Sequence, residues 1–380
     1  MRIILLMNSL FTGGAEFSTL SFYGWLIQKG YTVKLVVLKV ATPSYDPKQF
    51  GFNEVNVLKS TATWKRLAEF NKIVDSFKPA IVHSVLFDAN MLGRLTKLRY
   101  GGFKHLESLV NEMYAENRYA DPQVTPIKLN GYRLLDWLTQ MRGVDHYHAN
   151  GESVSKHYQQ KLGISNTRIT VIPRGRAANP WVGNADSRAR MRAQWNSGNR
   201  VVFINVARHE YQKGQDIILE SLKMVDASLC NKIQVVFVGR EGKLTDSIRQ
   251  AIRQNRLDDF VLILGHRTDV NELLAAADVF IFPSRFEGLP GALIEAEAAA
   301  LPIICSDIAN NREVANDENA LFFSVNDSNA LAHHIVEMLN PELRQRLAMQ
   351  SLQIFKAKFQ LEHIHASMET LLKQLADSKR

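Results

Sequence analysis

Cysteine is almost missing from this chain: there are two, Cys230 and Cys305, in 380 residues. Two thiols at that separation provide neither a disulfide framework nor a metal-ligand spacing, and they fit a reducing compartment. Long apolar runs are missing as well, since no unbroken stretch approaches the ~18 residues that a membrane span requires. The start, MRIILLMNSLFTGGAE, has a short apolar run after one arginine. It is too short for the core of a secretory leader and reads as a buried strand. The expectation is a cytoplasmic protein. No short repeat or low-complexity tract is visible. There is no GxGxxG either: FTGGAE lacks a third glycine, and no acid closes KLVVLKVA to hold the ribose of a nicotinamide cofactor. A dehydrogenase is thereby disfavoured.

What is present is an ordinary globular composition, 46% apolar and 22% charged, in a length suited to two domains of roughly 180 residues each. The charge is uneven. Residues 1–178 hold 23 Lys and Arg against 13 Asp and Glu, whereas the remainder holds 23 against 25. A basic half beside a near-neutral one implies an acidic surface or acceptor, or else diffuse solubility charge. Trp64, Lys65 and Arg66 mark a candidate contact with an anionic membrane surface, although no consecutive run of basic residues accompanies them. Nucleic acid is disfavoured, because no aromatic and basic platform or recognition-helix pattern goes with the charge.

Apolar runs alternate with helical patterns along the chain. RIILLMN, YTVKLVVLK, AIVHSVL, HLESLVN, HYHANG and ITVIP read as strands, with helices expected near 15–29, 63–77, 128–141 and 153–162. This rhythm predicts an α/β fold with a parallel sheet covered on both faces. RGRAANPWVGNADS is rich in Gly, Asn and Pro and reads as a linker. The alternation restarts with VVFINVA, IQVVFVG, FVLILG, VFIFP, LPIICSD and ALFFSV, separated by helices near 215–225, 244–255 and 270–276 and by the alanine-rich helix of RFEGLPGALIEAEAAALP. Two doubly wound Rossmann-like domains follow, over 1–178 and 190–358, facing each other across a cleft. In the closing segment, 359–380, Leu361, Ile364, Met368, Leu371, Leu372 and Leu375 recur at helical spacing, so it packs against something.

Ligands of open α/β sheets sit beyond the carboxyl ends of the strands, which directs attention to four loops. In FTGGAE, Gly13 and Gly14 allow a tight turn and bring amides toward an anion at the next helix; a plain βα turn is the alternative. In ARHEYQKG, Arg208 and Lys213 can clamp a diphosphate through charge-assisted hydrogen bonds, or decorate the surface. GHRTDV offers backbone groups to a nucleobase, with His266 read as structural. The richest loop is RFEGLPGALIEAEAAALP. Gly288 and Gly291 free the backbone, Pro290 suits the first helical turn, and amides of residues 288–292 form an anion site. Glu295 sits among small residues and can grip vicinal sugar hydroxyls. Glu297 points about 200° away and is expected in solvent.

FEGLPGALIE with Glu287 and Glu295, RHEYQKG, LGHRTDV, NREV and GGAE together resemble glycosyltransferase family 4, whose members are retaining, metal-independent enzymes of the GT-B fold. The resemblance is specific from about Val201 to Val314. It is looser over the first domain, through KPAIVHSVLFDANMLGRL and ITVIPRGR, and the last helix resembles the segment that crosses back to that domain. It implies a nucleotide-diphosphate-sugar donor, a glycan or lipid-linked acceptor and no cofactor. Arg208 and Lys213 would neutralise the donor diphosphate, Glu287 would lie near the transferred sugar, and Glu295 would bind the ribose. Backbone groups of Gly288, Leu289, Pro290 and Gly291 would hold sugar and phosphate, Arg267 would meet the base, and Gly14 would approach from the first domain.

Acceptor-side candidates are His83, Asp88 and Asn111, with YDPKQFGFNE and MYAENRYADPQ as candidate walls. Two departures stand out. ESLVNEM puts Val110 or Asn111 where many members carry histidine, and Ala299 with Ala300 replaces the usual Ala-Gly before LP. Alternatives on the same scaffold are a sugar-nucleotide epimerase, a phosphorylase, disfavoured because no lysine stands out as a pyridoxal anchor, and a non-catalytic nucleotide-sugar binding protein.

Overall fold

The computed structural model describes every residue except 12, 41, 43, 44, 120–123 and 379–380. The end of the candidate wall MYAENRYADPQ therefore lies outside the described residues. The chain divides into two compact units, Met1–Gly175 with Glu362–Arg380, and Arg176–Leu361.

The first unit is built on a seven-stranded sheet of β1 (Arg2–Met7), β2 (Thr32–Val37), β3 (Val55–Val57), β4 (Ile81–Val85), β5 (Lys104–Leu109), β6 (His146–Ala149) and β7 (Ile169–Val171). All pairs are parallel in the order β3-β2-β1-β4-β5-β6-β7. The helices are α1 (Gly14–Gln28), α2 (Thr63–Phe77), α3 (Phe87–Tyr100), α4 (Glu116–Tyr119), α5 (Pro126–Gly143) and α6 (Glu152–Leu162). Strands covered on both faces need continuous apolar runs, and Ile3 to Met7 are all fully buried.

The second unit repeats the plan with β8 (Val201–Val206), β9 (Ile233–Val238), β10 (Val261–Gly265), β11 (Val279–Phe282), β12 (Ile303–Ser306) and β13 (Ala320–Phe323), in the order β10-β9-β8-β11-β12-β13. Its helices are α7 (Ala185–Gln194), α8 (Gln215–Leu222), α9 (Ala227–Cys230), α10 (Thr245–Gln254), α11 (Val270–Ala276), α12 (Gly291–Ala298), α13 (Ala309–Val314), α14 (Ser328–Glu337) and α15 (Pro341–Lys358). The chain ends in α16 (Leu361–Asp377), whose Met368, Leu371, Leu372 and Leu375 join the core of the first unit with Ile3 and Leu5. Glu369 fastens it there, accepting from Lys29 and, at 2.7 Å, from the Tyr31 hydroxyl.

The division between units falls after Gly175 rather than at 178, and α7 begins inside the stretch read as linker. Helices α3 and α15 and the short strand β3 were not expected from the apolar periodicity. The consequence of α15 is local and large, because it covers the back of α12.

In both sheets the strand order reverses beside the first strand of the unit, between β1 and β4 and between β8 and β11. Loops leaving neighbouring strands in opposite directions open a crevice there, the standard ligand position of such sheets.

Candidate functional site

The crevice between β8 and β11 is closed by backbone stitching before any ligand enters. Arg285 N–H, after β11, donates to Gln212 O at 2.8 Å, and Gln212 Nε2 returns a bond to Phe286 O at 2.6 Å. The Arg285 guanidinium is buried, pairs with Asp216 at 2.6 Å and 3.1 Å, donates to Tyr211 O at 2.5 Å and lies 4.2 Å from the Tyr211 ring centre. Gly214 completes the joint. Its φ of +66° suits glycine, and a Cβ there would collide with Pro283 O.

This joint sets Lys213 against Glu287, with Nζ donating to Oε1 at 2.5 Å. The ammonium also lies 5.6 Å from the Phe282 ring centre. Arg208 is exposed at the carboxyl end of β8 and forms no ion pair among the described residues. One cation is thus preset by a carboxylate, while the other is exposed at the end of β8.

Helix α12 begins at Gly291 with Pro290 as its N-cap. Two corrections follow for the expected anion cradle of residues 288–292. Pro290 has no N–H, and the Leu289 side chain is buried in the core of the unit, so only backbone groups of Leu289 can meet a ligand. Glu295 remains partly exposed, and its Oε1 accepts from Arg176 Nε at 2.6 Å. Arg176 follows β7 and is itself held by its backbone, donating to Phe359 O at 2.9 Å and accepting from Leu361 N–H at 3.0 Å. Its guanidinium packs so closely on α12 that a Cβ at Gly291 would collide with it.

The loops after β8, β9 and β10 are laced together: His209 N–H donates to Arg240 O at 3.2 Å and Gly239 N–H to Gly265 O at 2.8 Å. Arg267 lies in the third of these loops, its side chain committed to Asp269 at 2.8 Å and 2.5 Å. His209 is fully buried with Nδ1 3.0 Å from Thr245 Oγ1, while Nε2 has no partner among the described residues. Burial lowers its pKa, which keeps the ring neutral. Among the described residues no three His, Cys, Asp or Glu side chains form a metal-ligand group.

The first unit holds Gly14, His83, Asp88 and Asn111. Gly14 opens α1 close to the Arg174 guanidinium. Asp88 and Asn111 are exposed, whereas His83 is buried, with Nδ1 2.7 Å from the Tyr23 hydroxyl and Nε2 2.7 Å from Ser108 Oγ. Both ring nitrogens are used in the interior, by Tyr23 on α1 and Ser108 on β5, so His83 does not reach an acceptor. Burial first, and the neighbouring His148 second, lower its pKa well below the ordinary value.

Residues 12–177 match the family described as Glycosyltransferase Family 4, and residues 187–352 match Glycosyl transferases group 1. The chain belongs to glycosyltransferase family 4. Among its family relatives is the UDP-Gal:alpha-D-GlcNAc-diphosphoundecaprenol alpha-1,3-galactosyltransferase of Escherichia coli, 28% identical over 48% of each chain. Another is the putative glycosyltransferase EpsF of Bacillus subtilis, 29% identical over 42% of this chain and 41% of that one. The matched part is thus about half, or less, of these relatives' length. The crystal structure of Anabaena HepE in complex with UDP and glucose superposes with a TM-score of 0.85 at 17% identity, covering 98% of this chain and 100% of that one. The fold is GT-B, two Rossmann-like parallel-sheet domains.

Of the three acids in RFEGLPGALIEAEAAALP, the one expected in solvent is the most buried. Glu297 is 0% exposed; Oε1 accepts from Asn319 Nδ2 at 2.9 Å, and Oε2 has no partner among the described residues. Asn319 continues to Ser351 Oγ on α15 at 3.2 Å. The helical geometry placed Glu297 correctly opposite Glu295, but α15 occupies that side. Burial lifts the Glu297 carboxyl well above the usual carboxylate range, against the opposing effects of Asn319 and Lys358.

The folded state then binds this proton more tightly than the unfolded chain does. Stability from this group is therefore fully present below the unfolded pKa and declines as pH rises above it. Glu297→Gln, which keeps the shape and the neutral form, is expected to gain on the wild type progressively as pH rises above the ordinary glutamate range. Urea midpoints over a rising pH series test this, and a constant difference would contradict it.

Ala300, in the departure from Ala-Gly, takes φ +54° and closes α12 in a Schellman arrangement, with Leu301 N–H donating to Ala296 O and Ala300 N–H to Glu297 O, both at 3.0 Å. Left-handed backbone at alanine costs about 1 kcal/mol, which the closed cap sustains. Arg176, Arg285 and His209 are the residues that sequence reasoning left unassigned. All three sit inside quoted motifs immediately after strands, so their position was a usable signal.

Proposed function

We propose that this chain is a retaining glycosyltransferase moving a hexose-type sugar from a nucleoside-diphosphate-sugar donor to a glycan or lipid-linked glycan acceptor. The reaction serves bacterial cell-surface polysaccharide synthesis at the inner face of a membrane. The observation that carries this reading is the Lys213–Glu287 pair at the β8/β11 reversal, with Arg208 exposed at the carboxyl end of β8. In this reading Lys213 and Arg208, rather than a metal ion, take up the charge that develops on the departing diphosphate. Glu287 lies beside the sugar, Glu295 holds the ribose hydroxyls in the place Arg176 keeps preset, and Arg267 lies near the base.

The bond from the anomeric carbon to the diphosphate oxygen breaks, and the acceptor oxygen bonds to that carbon on the same face. The acceptor proton passes to the departing phosphate. Two relatives support the substrate classes: the Escherichia coli enzyme is named for a UDP-Gal donor and a diphosphoundecaprenol-linked acceptor, and HepE was crystallised with UDP and glucose.

A thermal-shift panel of nucleoside diphosphates and sugar nucleotides tests the donor class. A ligand at 100 times its Kd adds about 2.7 kcal/mol, or roughly 5–10 °C for a unit of this size. Release of nucleoside diphosphate that depends on an added glycan acceptor would establish transfer. No shift with any member of the panel would overturn the reading.

A further inference from the structure

Helix α5 packs with its apolar side outward. At 100° per residue Ile127, Leu134, Leu138 and Met141 share one arc, bordered by Trp137 and Leu135, and all six are between 47% and 85% exposed. The buried side carries Asp136 and Gln140 with Leu129 and Gly143. Amphipathic helices of globular proteins ordinarily place these faces the other way round. The inversion is held by an ion pair: Arg94 on α3, itself buried, donates to Asp136 Oδ1 at 2.6 Å, and the Tyr114 hydroxyl donates to Oδ2.

An exposed, contiguous apolar stripe of this kind marks an interaction surface. Its borders carry Lys128, Arg133 and Arg142, all exposed, and the helix's one acidic residue is the buried Asp136, so every exposed charge on α5 is positive. Alongside lies a groove of about 560 Å³ lined in part by Arg133, Leu134, Trp137 and Lys161.

We propose that this face of α5 docks on a bilayer surface carrying anionic lipids. The helix lies in the interfacial plane with Leu134, Leu138 and Met141 at the acyl boundary and its cations at the phosphate level. Trp137 suits the same depth, and the groove between Arg133 and Lys161 receives a lipid phosphate. Charge selects this occupant over a second copy of the chain, since a two-fold contact through α5 would bring the same cations together. The membrane contact moves accordingly from Trp64, Lys65 and Arg66 to α5; Trp64 is a solitary exposed aromatic at the start of α2. The assignment deepens the lipid-linked acceptor reading and rests on it for its purpose only, because docking requires no catalysis.

Cosedimentation of the full chain with vesicles tests it, using phosphatidylcholine alone or with about one-third phosphatidylglycerol, at low salt and at about 0.5 M salt. Binding is expected with the anionic vesicles at low salt and not with phosphatidylcholine alone. The pair Leu134→Asp with Leu138→Asp is expected to lower partitioning at least tenfold. Arg133→Gln and Arg142→Gln each cost roughly fivefold, and Trp64→Ala leaves binding unchanged. Unchanged melting and nucleotide thermal shifts in these variants keep a failure of docking distinct from a failure of fold or of the transferase reading. Wild-type binding that survives the aspartate pair would overturn the proposal, as would equal binding to neutral vesicles. So would a dimer that the pair dissociates without any vesicle binding.

Discussion

Lys213→Ala is expected to lower sugar transfer by roughly 30- to 1000-fold, corresponding to about 2–4 kcal/mol of lost transition-state stabilisation. Two effects act in the same direction. On the proposed reading the ammonium is removed from the place where diphosphate charge develops, and Glu287, largely buried beside it, loses the partner 2.5 Å away. An unpaired carboxylate facing a phosphate then adds repulsion. Glu287→Gln in the Lys213→Ala background is therefore expected to restore part of the lost donor binding, even though Glu287→Gln alone impairs transfer. A double-mutant cycle on kcat/KM, with nucleotide thermal shift for binding, separates the terms. Lys213→Ala with unchanged kcat/KM would remove the pair from the active site.

Arg94→Ala is expected to cost the first unit about 3–5 kcal/mol, the usual consequence of breaking a buried ion pair from one side. Arg94 and Glu107 are each 1% exposed and joined by bonds of 2.7 Å and 2.5 Å, and the same guanidinium reaches Asp136 at 2.6 Å and Thr139 Oγ1 at 3.1 Å. Its removal leaves two carboxylates in the interior with no cation between them. Arg94→Lys is expected to recover only part of the loss, since one ammonium cannot reproduce a planar fork shared between two carboxylates. Urea unfolding followed by a probe in the first unit reads the change as a lower midpoint at unchanged slope. A wild-type midpoint would show that α5 is held in its inverted orientation by something else.

Much of this molecule was legible before folding. Apolar runs such as RIILLMN and VVFINVA become strands because a parallel sheet covered by helices on both faces requires them. The helix over Thr63–Phe77 matches the expected span, and α11 does likewise. Arg208, Lys213, Glu287 and Glu295 are singled out by sequence because they follow adjacent strand ends, the usual ligand position of such sheets. Helix α3 was missed because it buries polar groups, Asn90, Arg94 and Thr96 among them, and so carries little apolar periodicity. His83 was misplaced for a related reason: a polar side chain in a strand reads as available until its hydrogen-bond partners are known.

The sequence by itself determined the two-domain α/β plan, the strand ends that hold the candidate site, and the opposition of Glu295 to Glu297 about α12. Tertiary structure decided what each face of a helix meets. Helix α15 covers Glu297 and raises its affinity for a proton, Arg176 returns from beyond β7 to hold Glu295, and Arg94 draws Asp136 inward so that the leucines of α5 turn to solvent. Each of these outcomes depends on a partner supplied by a distant part of the chain. Helical periodicity records which residues share a face, but the free energy of burying that face belongs to the group that covers it.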